Sequence, residues 1–344
     1  MSEKYRSFPY KLEHCVWEVT LACCFSCRYC GSKGGRARDN ELSLEECVSV
    51  ARQLAGLGCR RVSLIGGEVF MRPDWEEIVR ALTSLKIKVC IITNGFRTGP
   101  ELTEKISCLG VESVAVSIDG PERVHDAYRQ KGSYKRALET VDLLSNAGIK
   151  VSVISALRAD NAPLLNEFYE TLKKHKIFAW QIQACSPMGN ACNNGVDVAF
   201  DALSVLRFIS SHSKDRFFYI GAADNIGYFT EEEEYVRGVK GAVFKGCGAG
   251  LRSIGIDSIG NVRGCESMYD DRFIEGNLRE KTLEDIWTDP GAFFYNRAFD
   301  GSMLTGACVD CAYGFKCAGG CRSYNYFTTG KLYENPLCPN GKRS

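Results

Sequence analysis

Cysteine is the residue whose number and spacing indicate chemistry, with eighteen in 344 residues. Three lie close together at Cys23, Cys27 and Cys30, and another set lies near the C-terminus, at Cys247, Cys265, Cys308, Cys311, Cys317, Cys321 and Cys338. Clustered thiols in a protein without a secretion signal usually bind metal or take part in catalysis. Three thiolates hold only three irons of a four-iron cluster, so the fourth iron is open to an outside ligand. The first set therefore predicts a reactive iron–sulfur cluster.

Charge and hydropathy exclude several classes of function. The 43 basic and 42 acidic residues balance, so a nucleic-acid or membrane-surface role has no electrostatic support. Residues 1–14 are polar and lack the apolar core of a signal peptide. Apolar runs such as Val151–Leu157 are too short to span a bilayer. The sequence therefore predicts a cytoplasmic protein.

Short apolar runs alternate with amphipathic segments through roughly the first two-thirds of the chain. The predicted strands are Cys15–Val19, Arg61–Ile65, Val89–Thr93, Ser113–Ile118, Lys150–Ala156 and Ala179–Ala184. The predicted helices are Leu44–Leu57, with a capping box from Ser43 and Glu46, Asp74–Leu85, Glu101–Leu109, Tyr134–Ala147 and Ala162–Lys174. This order predicts an α/β fold, a partial (β/α)6 barrel whose chemistry lies at the C-terminal strand ends.

The alternation fades from about Phe200, and the chain becomes rich in glycine and cysteine from Cys247 onward. A segment with so little continuous apolar pattern builds little core, so metal ligation must supply folding free energy. We therefore predict a barrel over residues 1–234 and a small, metal-stapled domain over residues 235–344.

Two registers compete for the first cysteine motif, because Cys24 lies beside Cys23. Counting from Cys24 gives the first ligands of a bacterial ferredoxin run, but Gly34 stands where that run needs its fourth cysteine. Counting from Cys23 gives Cys-x3-Cys-x2-Cys directly after the first strand. That pattern, with Tyr29 before the last cysteine, resembles the signature of radical S-adenosylmethionine (SAM) enzymes. Three buried apolar cysteines are the remaining alternative.

Further strand-end motifs resemble the same family in the same order. The resemblance implies that Gly66-Gly67-Glu68 binds the SAM amino group and that Asn94 and Ser117 line the SAM site. It also implies that Arg129 meets the SAM carboxylate, while Gln183 (or Gln181) and Met188 contact the adenosine half. Two positions depart from the family pattern: Val69 replaces a proline, and Cys24 replaces a common asparagine.

The C-terminal cysteines resemble the SPASM domain, which holds two auxiliary four-iron clusters in radical SAM enzymes. A zinc ribbon is the alternative for Cys308 and Cys311, but seven cysteines do not divide into two four-ligand zinc sites. The resemblance implies an outer cluster on Cys308, Cys311, Cys317 and Cys338. It implies an inner cluster on Cys247, Cys265 and Cys321, which is one protein ligand short.

The resemblance implies three [4Fe-4S] clusters, SAM as cofactor and an external electron donor such as flavodoxin or ferredoxin. Reductive cleavage of SAM would give a deoxyadenosyl radical that removes a hydrogen atom from a peptide or protein substrate. Only fourteen residues precede the first predicted strand, so we expect no N-terminal leader-recognition domain in this chain. The alternatives are a dehydrogenase or epimerase of a small sugar-like metabolite and a non-catalytic iron–sulfur electron-transfer or sensor protein.

Three further residues are candidates for direct roles in catalysis. Glu266 follows Cys265, close to where sulfatase-maturating relatives carry a catalytic aspartate, and as a base it would take the proton of an oxidised substrate. Cys185 and Cys192 flank the loop after the sixth strand, where a thiol would return a hydrogen atom to a substrate radical. The alternatives are a surface carboxylate and packed loop cysteines.

Overall fold

A ten-stranded sheet runs through the computed structural model, which describes residues 5, 7–237 and 242–342. In chain order, β1 to β10 are His14–Glu18, Arg61–Ile65, Lys88–Thr93, Ser113–Ser117, Val151–Leu157, Ala179–Ala184, Tyr219–Ala222, Ser253–Ile256, Asn261–Arg263 and Gly276–Asn277. The spatial order is β10-β9-β8-β1-β2-β3-β4-β5-β6-β7. Neighbours from β8 through β1 to β7 are parallel, whereas β9 is antiparallel to both β8 and β10.

Helices separate the parallel strands, as the sequence pattern predicts. The α-helices are Leu44–Gly56, Trp75–Ser84, Pro100–Cys108, Glu122–Tyr128, Ser133–Asn146, Leu165–Leu172, Asn190–Asn193, Ala202–Ser211, Glu233–Val236, Leu283–Thr288, Phe294–Arg297, Gly314–Cys317 and Arg322–Thr329. The 3₁₀ turns are Val69–Met71, Ala162–Leu164, Asp271–Phe273, Gly301–Met303, Gly306–Cys308 and Pro339–Lys342. The predicted capping box is present, because Ser43 Oγ accepts from the Glu46 amide and Glu46 Oε2 accepts from the Ser43 amide.

The two faces of the parallel strands differ in polarity. Alternate side chains, such as Trp17 and Leu64, are fully buried against the helices. The opposite face carries smaller and more polar residues, and His14 Nε2 lies 3.0 Å from Ser63 Oγ across β1 and β2. The helices thus cover one face, and the other face lines the inside of a partial barrel.

The predicted (β/α)6 arrangement is confirmed by β1–β6, and the structure adds β7 and the C-terminal strands to the same sheet. Because β8 pairs with β1, the sheet crosses the predicted boundary after residue 234. The sheet is not closed, and β7 and β10 lie at its edges. The division into residues 1–234 and 235–344 stays a prediction.

Among the described residues, no helix is long and apolar enough to cross a membrane.

Candidate active site

The loop that carries Cys23, Cys27 and Cys30 follows β1 and is held mainly by backbone hydrogen bonds. The Cys23 amide donates to the Gly35 carbonyl at 2.8 Å, and the Gly35 amide donates to the Leu21 carbonyl at 3.0 Å. At the far end of the loop, the Asn190 amide donates to the Cys30 carbonyl at 2.9 Å. The three thiols are thus presented from a fixed backbone at the C-terminal end of the first strand.

Glycine lets the loop after β2 approach this cysteine loop closely. The Gly67 amide donates to the Thr20 carbonyl at 2.8 Å. A Cβ at Gly67 would lie 2.4 Å from the carbonyl oxygens of Leu21 and Ala22, and one at Gly66 would lie 2.6 Å from that of Thr20. No side chain fits at such distances, so the two glycines allow a contact that any other residue would prevent.

The cysteine loop is chemically suited to hold iron. The Phe25 amide donates to Cys23 Sγ at 3.4 Å, and the Gly34 amide donates to Cys30 Sγ at 3.3 Å. Burial raises the pKa of the Cys27 thiol to about 11, so its thiolate needs a cationic centre nearby. The amide donors and the need for a cation fit a cluster bound by Cys23, Cys27 and Cys30.

Glu68 is buried beside the cysteine loop. Its Oε1 accepts from Thr93 Oγ1 at 2.8 Å and its Oε2 accepts from the Asn94 amide at 2.8 Å. Burial raises the pKa of Glu68 to about 7, and the two hydrogen bonds oppose that shift. Asn94 Nδ2 also lies 3.5 Å from Cys24 Sγ and 3.9 Å from Cys23 Sγ. Because the Glu68 carboxylate is buried, a positively charged amino group bound beside it would stabilise its ionised form.

Asp119, just after β4, organises a buried group of charges. Arg129 donates to it from Nε at 2.7 Å and from Nη2 at 3.2 Å, and Tyr29 Oη donates to it at 2.5 Å. Burial by itself would raise the pKa of Asp119, but Arg129 and its neighbours hold that pKa well below its usual range. Arg158, fully buried, lies 3.9 Å from the same carboxylate, and within the described residues its Nη2 has no hydrogen-bond partner. Two guanidinium groups thus share one buried carboxylate, which fits the binding of a further anion such as the SAM carboxylate.

The remaining predicted SAM contacts lie at the same end of the sheet. Ser117 ends β4, and Gln181 and Gln183 lie on one face of β6. Met188 packs over the cysteine loop, because its Cε would lie 2.8 Å from a Cβ at Gly31. The structure therefore gathers these residues around the loop, and their contacts with SAM stay a prediction.

The two candidate hydrogen donors differ in their surroundings. Cys185 is 4% exposed and packs with Ala156, Ala191 and Val196, and burial raises its pKa to about 12. Cys192 is exposed on the short helix after β6. The apolar cluster that includes Cys185 packs against Tyr29, whereas Cys192 is exposed, so only Cys185 lies in the packed part of the site.

The four cysteines predicted to hold the outer cluster line one pocket: Cys308, Cys311, Cys317 and Cys338. In the part of the chain that the structure describes, no group of three or more His, Cys, Asp or Glu side chains is arranged to hold a single metal ion. Four thiols around a cavity fit a cluster of several irons.

The three cysteines predicted to hold the inner cluster also lie together. Burial raises the pKa of Cys265 to about 12, and the nearby Cys247 thiol adds to this shift. Burial also raises the pKa of Cys321, with further contributions from Cys247 and Cys265. Three neighbouring thiols within electrostatic reach of one another fit a shared cationic centre such as a cluster.

Glu266 lies inside the protein rather than on its surface. It is 6% exposed, and within the described ranges neither carboxylate oxygen has a hydrogen-bond partner. Its amide nitrogen lies 2.3 Å from where a Cβ at Gly255 on β8 would be, so it packs directly on the barrel sheet. Burial, with Glu18 as the next cause, raises its pKa well above the usual value. The structure therefore excludes the alternative that Glu266 is a surface carboxylate.

Sequence reasoning missed two buried charged groups. One group contains Asp119 and Arg158. The polar residues 158–161, which follow β5, were a signal that would have indicated this group. The other joins Glu18, Arg38 and Tyr269, and a glutamate at the end of a buried strand was the available signal.

Two family models match this chain. The radical SAM superfamily model matches residues 17–174, and the SPASM iron–sulfur cluster-binding domain matches residues 247–312. The chain is therefore a radical SAM enzyme with a C-terminal SPASM domain, and it uses iron–sulfur clusters and SAM.

Named relatives extend over nearly the whole chain. Mycofactocin maturase MftC of Mycobacterium tuberculosis strain H37Rv is 29% identical over 95% of this chain and 82% of its own length. An AdoMet-dependent heme synthase of Methanosarcina barkeri is 28% identical over 94% of this chain and 95% of its own length. Streptococcus suis SuiB bound to S-adenosylmethionine shares the fold, with a TM-score of 0.77 at 18% identity over 98% of this chain and 79% of SuiB.

Proposed function

We propose that this enzyme is an oxidoreductase that removes a hydrogen atom from a peptide substrate and completes an oxidation, a crosslink or an epimerisation. The observation that carries the proposal is the position of Glu266. It packs on β8 at the side of the barrel, next to a predicted inner-cluster ligand, whereas the first cysteine loop lies beyond the end of β1. The proposal is that the substrate binds between these two places.

Each group of residues has a distinct task in this proposal. Cys23, Cys27 and Cys30 hold the first cluster, which together with SAM supplies a deoxyadenosyl radical when bound. Glu68 and the Asp119 group hold the polar ends of the SAM methionine and keep them fixed. Burial and Glu18 raise the pKa of Glu266, so its carboxyl must first lose its own proton. As a carboxylate it then accepts the proton that the substrate releases on oxidation, in a site from which water is largely excluded.

A peptide substrate is supported by the shape of the sheet and by the names of relatives. The open sheet leaves a side of the barrel through which an extended chain can enter. MftC is named a maturase, and SuiB has been crystallised with its precursor peptide SuiA. The proposal assigns this chain a substrate of the same class.

A non-peptide substrate is the second candidate, and one observation favours it. The heme synthase of Methanosarcina barkeri matches over 95% of its own length, whereas MftC matches over 82%. This chain and the heme synthase are thus nearly coextensive, so oxidation of a porphyrin or another small metabolite competes with peptide modification.

Anaerobic turnover separates the two candidates. The protein is purified without oxygen, reduced with dithionite and given SAM with either short peptides encoded beside its gene or an iron porphyrin. We expect a peptide to stimulate deoxyadenosine formation. Its mass should fall by two hydrogens after an oxidation or a crosslink, or rise by one deuterium after an epimerisation run in deuterium oxide. Stimulation by the porphyrin alone supports the second candidate, and the absence of deoxyadenosine under all conditions contradicts both.

Iron content tests the number of clusters in the same preparation. Three four-iron clusters predict about twelve irons per chain. About four irons, or zinc instead of iron, would contradict the auxiliary clusters.

We also propose a cytoplasmic location and a flavodoxin or ferredoxin as electron donor. Ten thiols that bind clusters must stay reduced, which the cytoplasm provides. Replacement of dithionite by reduced flavodoxin should sustain deoxyadenosine formation.

A further inference from the structure

Arg38 joins the barrel to the segment that carries the predicted inner-cluster ligand Cys265. Its Nη1 donates to Glu18 Oε1 at 2.5 Å and to Ser258 Oγ, and its Nη2 donates to Tyr269 Oη. Tyr269 Oη in turn donates to Glu18 Oε2 at 3.3 Å. Glu18 ends β1, whereas Ser258 follows β8 and Tyr269 follows Cys265 by four positions. One guanidinium therefore connects two strand ends and the auxiliary segment.

The backbone of Arg38 is tied to the first cysteine loop. Glu41 Oε1 accepts from the Leu21 amide at 2.7 Å and from the Arg38 amide at 3.2 Å. The Leu42 amide donates to the Ser258 carbonyl at 2.7 Å. The segment after Cys30 thus contacts the start of the cysteine loop on one side and the turn after β8 on the other.

The Arg38 contacts lie in the interior. The Glu18 side chain is 1% exposed and that of Arg38 is 19% exposed. A second buried pair, Arg263 Nη1 to Asp257 Oδ2 at 2.8 Å, lies in the same segment, and the Arg263 guanidinium lies over the Tyr269 ring. Buried charge pairs contribute little net stability, but breaking one is costly because it leaves an uncompensated buried charge.

We propose that Arg38, through Glu18 and Tyr269, is a positioning residue that sets where Glu266 and the inner-cluster ligands stand relative to the first cluster. This inference rests on the proposed function and adds to it the residues that align its two centres. Arginine is needed, because its planar fork reaches three acceptors in fixed directions, whereas a lysine ammonium on a flexible stem does not.

If the Arg38 contacts are lost, we expect SAM cleavage to become uncoupled from oxidation of the substrate. A substrate that has given one hydrogen atom to the deoxyadenosyl radical must still lose one electron to the inner cluster and one proton to Glu266. If Glu266 and the inner cluster shift, SAM is still cleaved, but the substrate radical takes an electron from dithionite and a proton from water instead of being oxidised. Deoxyadenosine then forms without the matching oxidised product.

Arg38→Lys tests the proposal, with Glu46→Gln as the matched control. Glu46 accepts from Arg279 at 2.6 Å and also joins the barrel to the C-terminal part, but at the surface, where both side chains are about one-third exposed. Glutamine keeps the capping box of its helix. The measurements are oxidised product per deoxyadenosine, SAM dissociation constant and the midpoint potential of the inner cluster by electron paramagnetic resonance.

We expect Arg38→Lys to lower product per deoxyadenosine roughly tenfold and to shift the inner-cluster potential, with SAM affinity within about twofold of wild type. Glu46→Gln should leave all three unchanged. Tyr269→Phe, which removes one hydroxyl, gives the same pattern more weakly if Arg38→Lys fails to fold. Equal effects of Arg38→Lys and Glu46→Gln, or an unchanged potential in both Arg38→Lys and Tyr269→Phe, overturn the inference. Absence of deoxyadenosine from the wild type would instead contradict the proposed function.

Discussion

The first cysteine loop (residues 20–35) and the outer-cluster segment (residues 301–338) are predicted to bind the same kind of cofactor but are built differently. Backbone hydrogen bonds and close glycine contacts hold the first loop against the ends of β1 and β2. The outer cysteines lie on turns and one-turn helices, and a small apolar cluster that includes Tyr228 and Phe244 packs beneath them. Their backbone hydrogen bonds, such as the Cys317 amide to the Tyr313 carbonyl at 2.7 Å, stay within the segment instead of joining it to the ends of strands. We therefore expect the first loop to be ordered before metal binds and the outer segment to depend on metal for its order.

This difference matches what the two regions must do. An iron that binds SAM needs a fixed surrounding, because small displacements of reacting groups reduce the rate strongly. An auxiliary cluster with four cysteine ligands has no open position to shape, so it can serve as a fold staple as well as an electron carrier.

The largest expected effect is on catalysis, from the triple change of Cys23, Cys27 and Cys30 to Ala. Deoxyadenosine formation should fall to background, because no ligand remains for the reactive cluster. The thermal unfolding midpoint of this variant should stay within about 2 °C of that of wild-type protein from which only the first cluster has been lost. The backbone hydrogen bonds that hold the loop remain in both proteins. Liquid chromatography and calorimetry measure the two quantities, and persistent deoxyadenosine would reject the ligand assignment.

The double change of Cys317 and Cys338 to Ala should act on stability instead. Loss of the outer cluster should lower the free energy of unfolding by at least about 3 kcal/mol, because little apolar core remains to hold the segment. Anaerobic denaturant unfolding measures this difference. An unchanged midpoint would mean that the segment folds without its metal.

Gly67→Ala tests whether protein contacts order the first loop. The added Cβ would lie 2.4 Å from two carbonyl oxygens, so the loop must move, at a cost of about 1–3 kcal/mol and about a hundredfold in the rate of SAM cleavage. Gly35→Ala is the control, because a Cβ there meets no atom within 4 Å. Equal rates for the two variants would contradict the close-contact account.

The smallest expected effect is the pH dependence of SAM binding through Glu68. With a pKa of about 7, Glu68 is protonated in acid and no longer accepts fully from the SAM amino group. SAM affinity should therefore fall roughly tenfold per pH unit below about pH 7. In Glu68→Gln that dependence should be lost, as calorimetry between pH 5.5 and 8.5 would show; an identical slope would exclude Glu68.

The sequence predicted the regular part of the fold well, because each strand and helix of the barrel has its own periodic pattern. Strands β1–β6 lie within a residue or two of their predicted positions. Strands β7 to β10 are short and gave no comparable signal, and β8 pairs with β1 across more than two hundred residues of sequence.

The candidate site likewise has features that the sequence predicted and features that it did not. Motifs that are local in sequence, such as Gly66-Gly67-Glu68, were recognised, and the structure brings them to the cysteine loop. The Arg38 contacts were not predicted, since they join residues from three distant segments and no spacing rule links them. The interior position of Glu266 likewise depends on how β8 packs, which its own neighbours do not reveal.

Hydrogen–deuterium exchange of iron-loaded and chelator-treated protein tests the contrast between the two regions most directly. We predict that removal of iron abolishes protection across residues 301–338, because metal orders that segment. Protection of residues 20–35 should change little, because backbone hydrogen bonds hold that loop. Equal loss in both regions, or loss confined to residues 20–35, would contradict the account.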